Sequence, residues 1–477
     1  MSRQEHANGR MFPVAASAPE GRNKKLWTNS HLDDKGYFFT LMPHLQLAMK
    51  EDFLHFIWRF QYFDKKDLKA TSGELINILH PGFANDDAGP DFSDAKVVIN
   101  DIHWHGHVEI HLCSADWNHH HHHHDPAYDN VILHVVWEEN KLIHRSDGSP
   151  IPTLELKHKI DASLKDRYEQ LVETPLKVPC ASSIQDVGNI VRLSMLEKAL
   201  MDRLSKRCRT IHKLLVLRNN DWEETAYALL AKNFGFKVNS EPFLRLSEVL
   251  PLKILLKHRN SLLSIEALLF GQAGFLDQPI KEPYFETLKE EYLFLSKKYQ
   301  LYDNRLSLVQ WKFMRLRPAN FPTFRIAQFA MLIFRHGSLF SMLLSIENPK
   351  TLLDALELKL CDYWQNHVNF GKTSAHKFSG TGKESINNII INSAAPLQAA
   401  YGKYIDRQSL VDNAVNLLQQ TPAEKNNITK MWKGLGLAIE HAFDSQGSIE
   451  LYNNYCIPRK CLDCTIGAHI IKKGPWA

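Results

Sequence analysis

The period of the apolar pattern switches from strand-like to helical after Cys180, and that switch limits the folds open to this chain. Between about residues 73 and 160 apolar residues alternate with polar ones in short Val/Ile-rich runs. GELINILHPG, FSDAKVVIN, IHWHGHVEIHLC, NVILHVVWEEN and TLELKHKI are parted by Gly82, Asn100-Asp101 and Asp147-Gly148. A period of two with such punctuation predicts strands. After Cys180 the apolar residues recur at three and four positions, from NIVRLSMLEKALMDRL to IEHAFDSQ. That spacing predicts many helices, broken near Asn219-Asn220, Pro251, Pro283, Pro318 to Pro322 and Gly371 to Gly382. One amphipathic helix precedes the strands in MKEDFLHFIWRFQYF. The expected class is therefore α+β, with a mixed sheet and flanking helices first and a large all-α region after it. The expected boundaries are 49–180 for the sheet domain, 181–455 for the helical one and 456–477 for a cysteine-bearing tail. Residues 1–48 lack periodicity and read as a disordered or mis-started extension.

At 477 residues and 44% hydrophobic, the chain has material for two or three buried cores. A formal charge of +4 permits a nucleic-acid partner and demands none. Seven cysteines without dense, even spacing argue for a reducing compartment, and the cytoplasm is the expected location. The most apolar stretch, FRIAQFAMLIF, is cut off by Arg335 and His336 and reads as a buried helix, so no membrane partner is expected. No protein partner can be named from these residues.

The chemistry concentrates in GPDFSDAKVVINDIHWHGHVEIHLC. Alternation puts His105, His107, Glu109 and His111 on one strand face, with Trp104, Val108, Ile110 and Leu112 on the other. A turn at Asn100-Asp101 folds this strand back on its predecessor and brings Asp91 toward Glu109. Two carboxylates and an imidazole suit Mg²⁺ or Mn²⁺. Such an ion polarises a phosphodiester and activates water.

This segment resembles the PD-(D/E)XK nuclease-like superfamily, in which a Pro-Asp strand is followed by a Glu-x-Lys strand. The resemblance spans about residues 50 to 160 and implies a restriction-endonuclease-like sheet. It also implies that Asp91 and Glu109 bind metal and that His111 stands in the lysine position, there to position or deprotonate water. Histidine carries no permanent charge at neutral pH, which departs from the pattern. Glu51 or Glu74 would supply the family's additional helical glutamate. From Met49 on, the chain also resembles an uncharacterised bacterial family of unknown function, through NDDAGPDF, WHGHVEIH, SADW, DPAYDNVILHVV, RLRPANFP and the terminal YC…CLDC. Within that resemblance the run of six histidines resolves into Trp117, His120, His122, Asp125 and Tyr128. His120 and His122 become further metal ligands, and His119, His121, His123 and His124 a local excess.

The tail places Cys456, Cys461 and Cys464 in a C-x4-C-x2-C pattern, suited to Zn²⁺ or an iron–sulfur cluster. The fourth ligand is either His469 nearby or Cys180 far upstream. In WKFMRLRPANFPTFRIAQFA, Arg315, Arg317 and Arg325 form a candidate phosphate fork, against the alternative that they pair with acids such as Glu290 and Glu291. Three functions are thus expected in order: a metal-dependent phosphodiesterase acting on DNA or RNA, an inactive nucleic-acid-binding scaffold on the same fold, and another metal-dependent hydrolase.

Overall fold

Asn100 and Asp101 both adopt left-handed backbone, with φ of 46° and 65°. Short polar residues tolerate that region, and two in succession make the tight turn whose twist matches a β-hairpin. The turn joins β3 (Phe92–Ile99) to β4 (Ile102–Cys113), with Ile99 paired to Ile102 and Phe92 to Val108. The computed structural model describes residues 50–85, 87–356, 360–374, 377 and 381–473. The extension expected over residues 1–48 lies outside them.

The sheet is mixed. β1 (Ile76–His80) and the two-residue β2 (Phe83–Ala84) pair antiparallel with β3, while β4 pairs parallel with β5 (Val131–Glu138) and β5 parallel with β6 (Thr153–Glu155). β4 is therefore central. β5 is buried from Val131 to Val136, which explains its nearly continuous apolar run. Against the sheet lies α1 (Glu51–Phe60), burying Phe53, Leu54, Phe56, Ile57 and Trp58, and Trp58 Nε1 donates to the Pro81 carbonyl at 2.9 Å.

The connection from β4 to β5 must cross the sheet face, because the two strands run parallel. The superfamily resemblance implies a helix there. The structure instead gives a single turn, α2 (Asp116–His119), then two 3₁₀ turns at His122–His124 and Pro126–Tyr128. His121 is left-handed, with φ 62°, and Pro126 cannot continue a helix, so the run breaks into short pieces. Those pieces lie over the polar face of β4.

Past α3 (Ala162–Glu173) the chain is largely helical, starting with the 29-residue α4 (Asn189–Leu217). The breaks lie where the sequence puts them: Asn219 and Asn220 are left-handed after α4, and Pro283 and Pro322 open helices. FRIAQFAMLIF lies in the helix Pro322–Arg335, buried from Pro322 to Ile333. No described helix is long and apolar enough to cross a membrane. The last helix, Thr465–Lys473, packs against α3 and α4, and Arg167 Nε donates to the Ile471 carbonyl at 2.7 Å. From Lys50 on, the sheet and helices form one compact unit.

Candidate metal centre

The register of the β3–β4 hairpin sets Asp91, just before β3, beside Glu109 on β4. Each fixes the other. The Asp91 N–H donates to Glu109 Oε2 at 3.1 Å, and the Ile110 N–H donates to Asp91 Oδ2 at 2.9 Å. Glu109 is only 4% exposed. Burial holds its carboxyl above the usual range, His122 opposes this, and the Asp91 charge adds to it. From α1 comes a second pair one helical turn apart, Glu51 and His55. His55 Nε2 lies 3.3 Å from Asp91 Oδ2. Burial lifts the Glu51 carboxyl to about 7, countered by His55 and reinforced by the charges of Asp91, Glu109 and Asp116. Glu74, the other glutamate considered, is exposed and bonds Ser72. Glu51 is thus the one that belongs to this site.

His111 is the hub of a histidine cluster. Its Nδ1 lies 2.8 Å from His134 Nε2, its Nε2 lies 3.1 Å from His120 Nδ1 and 3.7 Å from Glu109 Oε1. His111 and His134 are 2% and 0% exposed. Burial first, then the neighbouring imidazoles, pushes His111 down to about 3, and burial takes His134 far down as well. Both are neutral rings at neutral pH. Burial and the surrounding imidazoles leave His111 a weakly basic ring whose two nitrogens face His134 and His120, an arrangement that suits a neutral ligand ring.

His122 enters from above. Its Nε2 stands 3.2 Å from Glu109 Oε1 but is poorly aligned for a hydrogen bond, and this buried nitrogen has no other partner. Tyr128 stacks on the ring at 3.9 Å and Trp117 meets it edge-on at 5.3 Å, which fixes its direction. One ligand nitrogen from each of His111, His120 and His122 lies within 4.8 Å of the other two. The remaining histidines of the run stand apart. His119 pairs with Asp116 at 3.2 Å on the surface, and His121, His123 and His124 contact one another's rings. Asp125 caps the following turn through the Ala127 N–H.

Three imidazoles beside a buried carboxylate fit a borderline ion such as Zn²⁺ or Mn²⁺ better than Mg²⁺, which favours oxygen donors. The orphaned His122 nitrogen is what such an ion would satisfy. His134 would hold the His111 ring from behind, as outer partners of metal-bound histidines do. His55 and His134 were not singled out by the sequence. A lone histidine in VILHVV was the available signal for the second, and its spacing four residues after Glu51 for the first.

The arginines do not converge. Arg315 and Arg317 are exposed, whereas Arg325 is 4% exposed and donates to Gln328, Asn320 and Ser385 at 2.5–2.9 Å beneath the face of Phe236. A phosphate fork that includes Arg325 is excluded because its guanidinium is committed inside the core. Its partners are neutral amides and a hydroxyl, not the glutamates considered. Cys180, Cys456, Cys461 and Cys464 are all buried, and His469 is partly exposed on the last helix.

With this geometry in hand, a model of the family described as "Protein of unknown function (DUF2851)" matches residues 51–427. The chain belongs to that family. No curated protein matches it, and no solved structure does.

Proposed function

We propose that this DUF2851 chain is a metal-dependent hydrolase that uses Mn²⁺ or Zn²⁺, with a phosphodiester of DNA or RNA as the bond it cleaves. The observation that carries this reading is the placement of three histidine donors within 4.8 Å of one another beside the buried Glu109 carboxylate. His111, His120 and His122 would hold the ion, and Glu109 would face it. Asp91, whose Oδ2 is held by the Ile110 N–H and His55, would position Glu109 through its own N–H. A bound ion of this kind supplies a Lewis acid and a water ionised near neutral pH. In the metal-free protein burial lifts the Glu51 carboxyl to about 7, which suits it to exchange a proton near neutral pH.

The nuclease-like reading has support of its own. An early helix, the Pro-Asp segment leading into β3, the Glu-x-His strand and a further parallel strand follow one another in the order the PD-(D/E)XK resemblance implies, with β1 and β2 intervening after the helix and short turns replacing the crossover helix. The test is hydrolysis of single- and double-stranded DNA and RNA by metal-depleted protein given Mg²⁺, Mn²⁺ or Zn²⁺. Cleavage should appear with Mn²⁺ or Zn²⁺ and fall at least 100-fold in Glu109→Gln, the scale of losing a principal stabilising group. Cleavage that survives Asp91→Ala and Glu109→Ala together would refute the reading. Nucleic-acid binding without cleavage under any metal would favour the scaffold role instead.

A further inference from the structure

Four cysteines lie outside the centre described above. Cys180 ends the segment that joins α3 to the helical region, and Cys456, Cys461 and Cys464 stand just ahead of the last helix. They are free and between 6% and 7% exposed. The fold assembles them from opposite ends of its sequence. Arg459, held in left-handed backbone at φ 60°, donates to the Leu176 and Thr174 carbonyls at 2.8 Å each, which ties the tail loop to the segment leading into Cys180. Lys198 reaches from α4 to the Asp463 carbonyl at 2.6 Å. Gly467 is pressed so closely on the loop that a Cβ there would come within 2.2 Å of the Cys461 carbonyl.

The thiols share one electrostatic neighbourhood. Burial lifts Cys180 and Cys456 above the usual thiol range. The charges of Cys464 and Cys461 add to this for Cys180, and those of Cys180, Cys464 and Cys461 for Cys456. Arg459 works the other way on Cys456 and Cys461. Cys464 stands at the start of the helix Thr465–Lys473; burial raises its thiol as well, and the backbone N–H groups of Gly467 and Ile466 oppose this.

Spacing separates the two metals such a set can hold. A single Zn²⁺ with bonds of about 2.3 Å brings its four tetrahedral sulfurs to about 3.8 Å from one another. Among the described residues only the histidine trio gathers donor atoms within 4.8 Å, so no three of these sulfurs are that close. Several irons bridged by sulfide hold their thiolates further apart than one ion does. His469 is a poor substitute for Cys180. Five residues after Cys464 it has turned roughly 140° around the helix.

We propose that Cys180, Cys456, Cys461 and Cys464 ligate an iron–sulfur cluster that fastens the C-terminal helix to the junction between the sheet and the helical region. This assignment is independent of what the histidine centre does. The full chain, purified without oxygen and reconstituted with ferrous iron and sulfide, should bind both in equal amounts and show broad visible absorption. Cys180→Ser should lose most of that absorption and iron, whereas Cys208→Ser and His469→Ala should retain both. Zinc bound in place of iron, no uptake of iron and sulfide by the unaltered chain, or a cluster unchanged in Cys180→Ser would overturn the proposal. If Cys180→Ser fails to fold by circular dichroism, the metal content of the unaltered chain and of His469→Ala still decides it.

Discussion

Replacing His134 separates a positioning residue from a ligand. The ring is fully buried and its Nε2 faces His111 Nδ1 at 2.8 Å. If His111 gives its Nε2 lone pair to a metal, its Nδ1 carries the proton and donates to His134. His134→Leu keeps about the same volume and removes that acceptor. Loss of such an outer partner costs roughly 10–100-fold in metal affinity, or about 1.4–2.8 kcal/mol. The metal-free fold should change less. The buried His111 N–H left without a partner costs about 1–3 kcal/mol, offset in part because His134 Nδ1 is itself buried and unpaired. Affinity for Zn²⁺ and Mn²⁺ is read by competition with a chromophoric chelator on metal-depleted protein. Thermal unfolding with and without metal gives the second measure. The variant should bind 10–100-fold more weakly and His111→Ala more weakly still. An affinity within twofold of the parent would falsify the assignment of His111 as a ligand oriented from behind.

Within the histidine run, replacing His119, His121, His123 and His124 together by alanine should leave that affinity within threefold, whereas His120→Ala with His122→Ala should abolish it; the same chelator competition reads both. At Asp91, alanine leaves the Ile110 N–H without its acceptor and should cost about 1–3 kcal/mol in urea unfolding, while asparagine keeps an acceptor there and should recover most of that stability. Far from the centre, burial raises the Glu266 carboxyl to about 8 despite the Tyr284 hydroxyl bonded to it. The folded state therefore holds a proton the unfolded state releases, and stability should fall as pH rises from about 4.5 to 8. Glu266→Gln should flatten that dependence in melting curves recorded across the interval; an unchanged slope would count against it.

What the sequence makes legible here follows from how local each signal is. Alternation over IHWHGHVEIHLC and the paired Asn100-Asp101 specify β4, its turn and the nearness of Asp91 to Glu109, because strand period and turn chemistry act within a few residues. The burial of Glu109 and His111 is not local. It arises only when the crossover from β4 to β5 folds across them, and alternation alone describes that face as polar. His55 and His134 carry only weak signals beforehand, since one histidine in an apolar helix or strand has no periodic signature. Arg325 divides the signals: it belongs to the buried stretch FRIAQFAMLIF and also follows a loop of arginines and prolines, and only the packing of Phe236 over the guanidinium shows it committed inside. The choice between Glu51 and Glu74 rests on which element faces the hairpin, a fact of the assembled sheet.

The bond from Arg167 to the Ile471 carbonyl spans 304 residues of chain, and that separation has a consequence for biosynthesis. At about 5–20 residues per second, roughly 15–60 s pass between the emergence of the two partners from a ribosome. During that time α3 exists without the helix that packs on it. The helix Thr465–Lys473 can dock on α3 and α4 only after some three hundred further residues have been made. A truncation that removes Thr465–Lys473 would leave α3 uncovered, and greater susceptibility to proteases within Ala162–Glu173 would mark the surface that this helix normally hides.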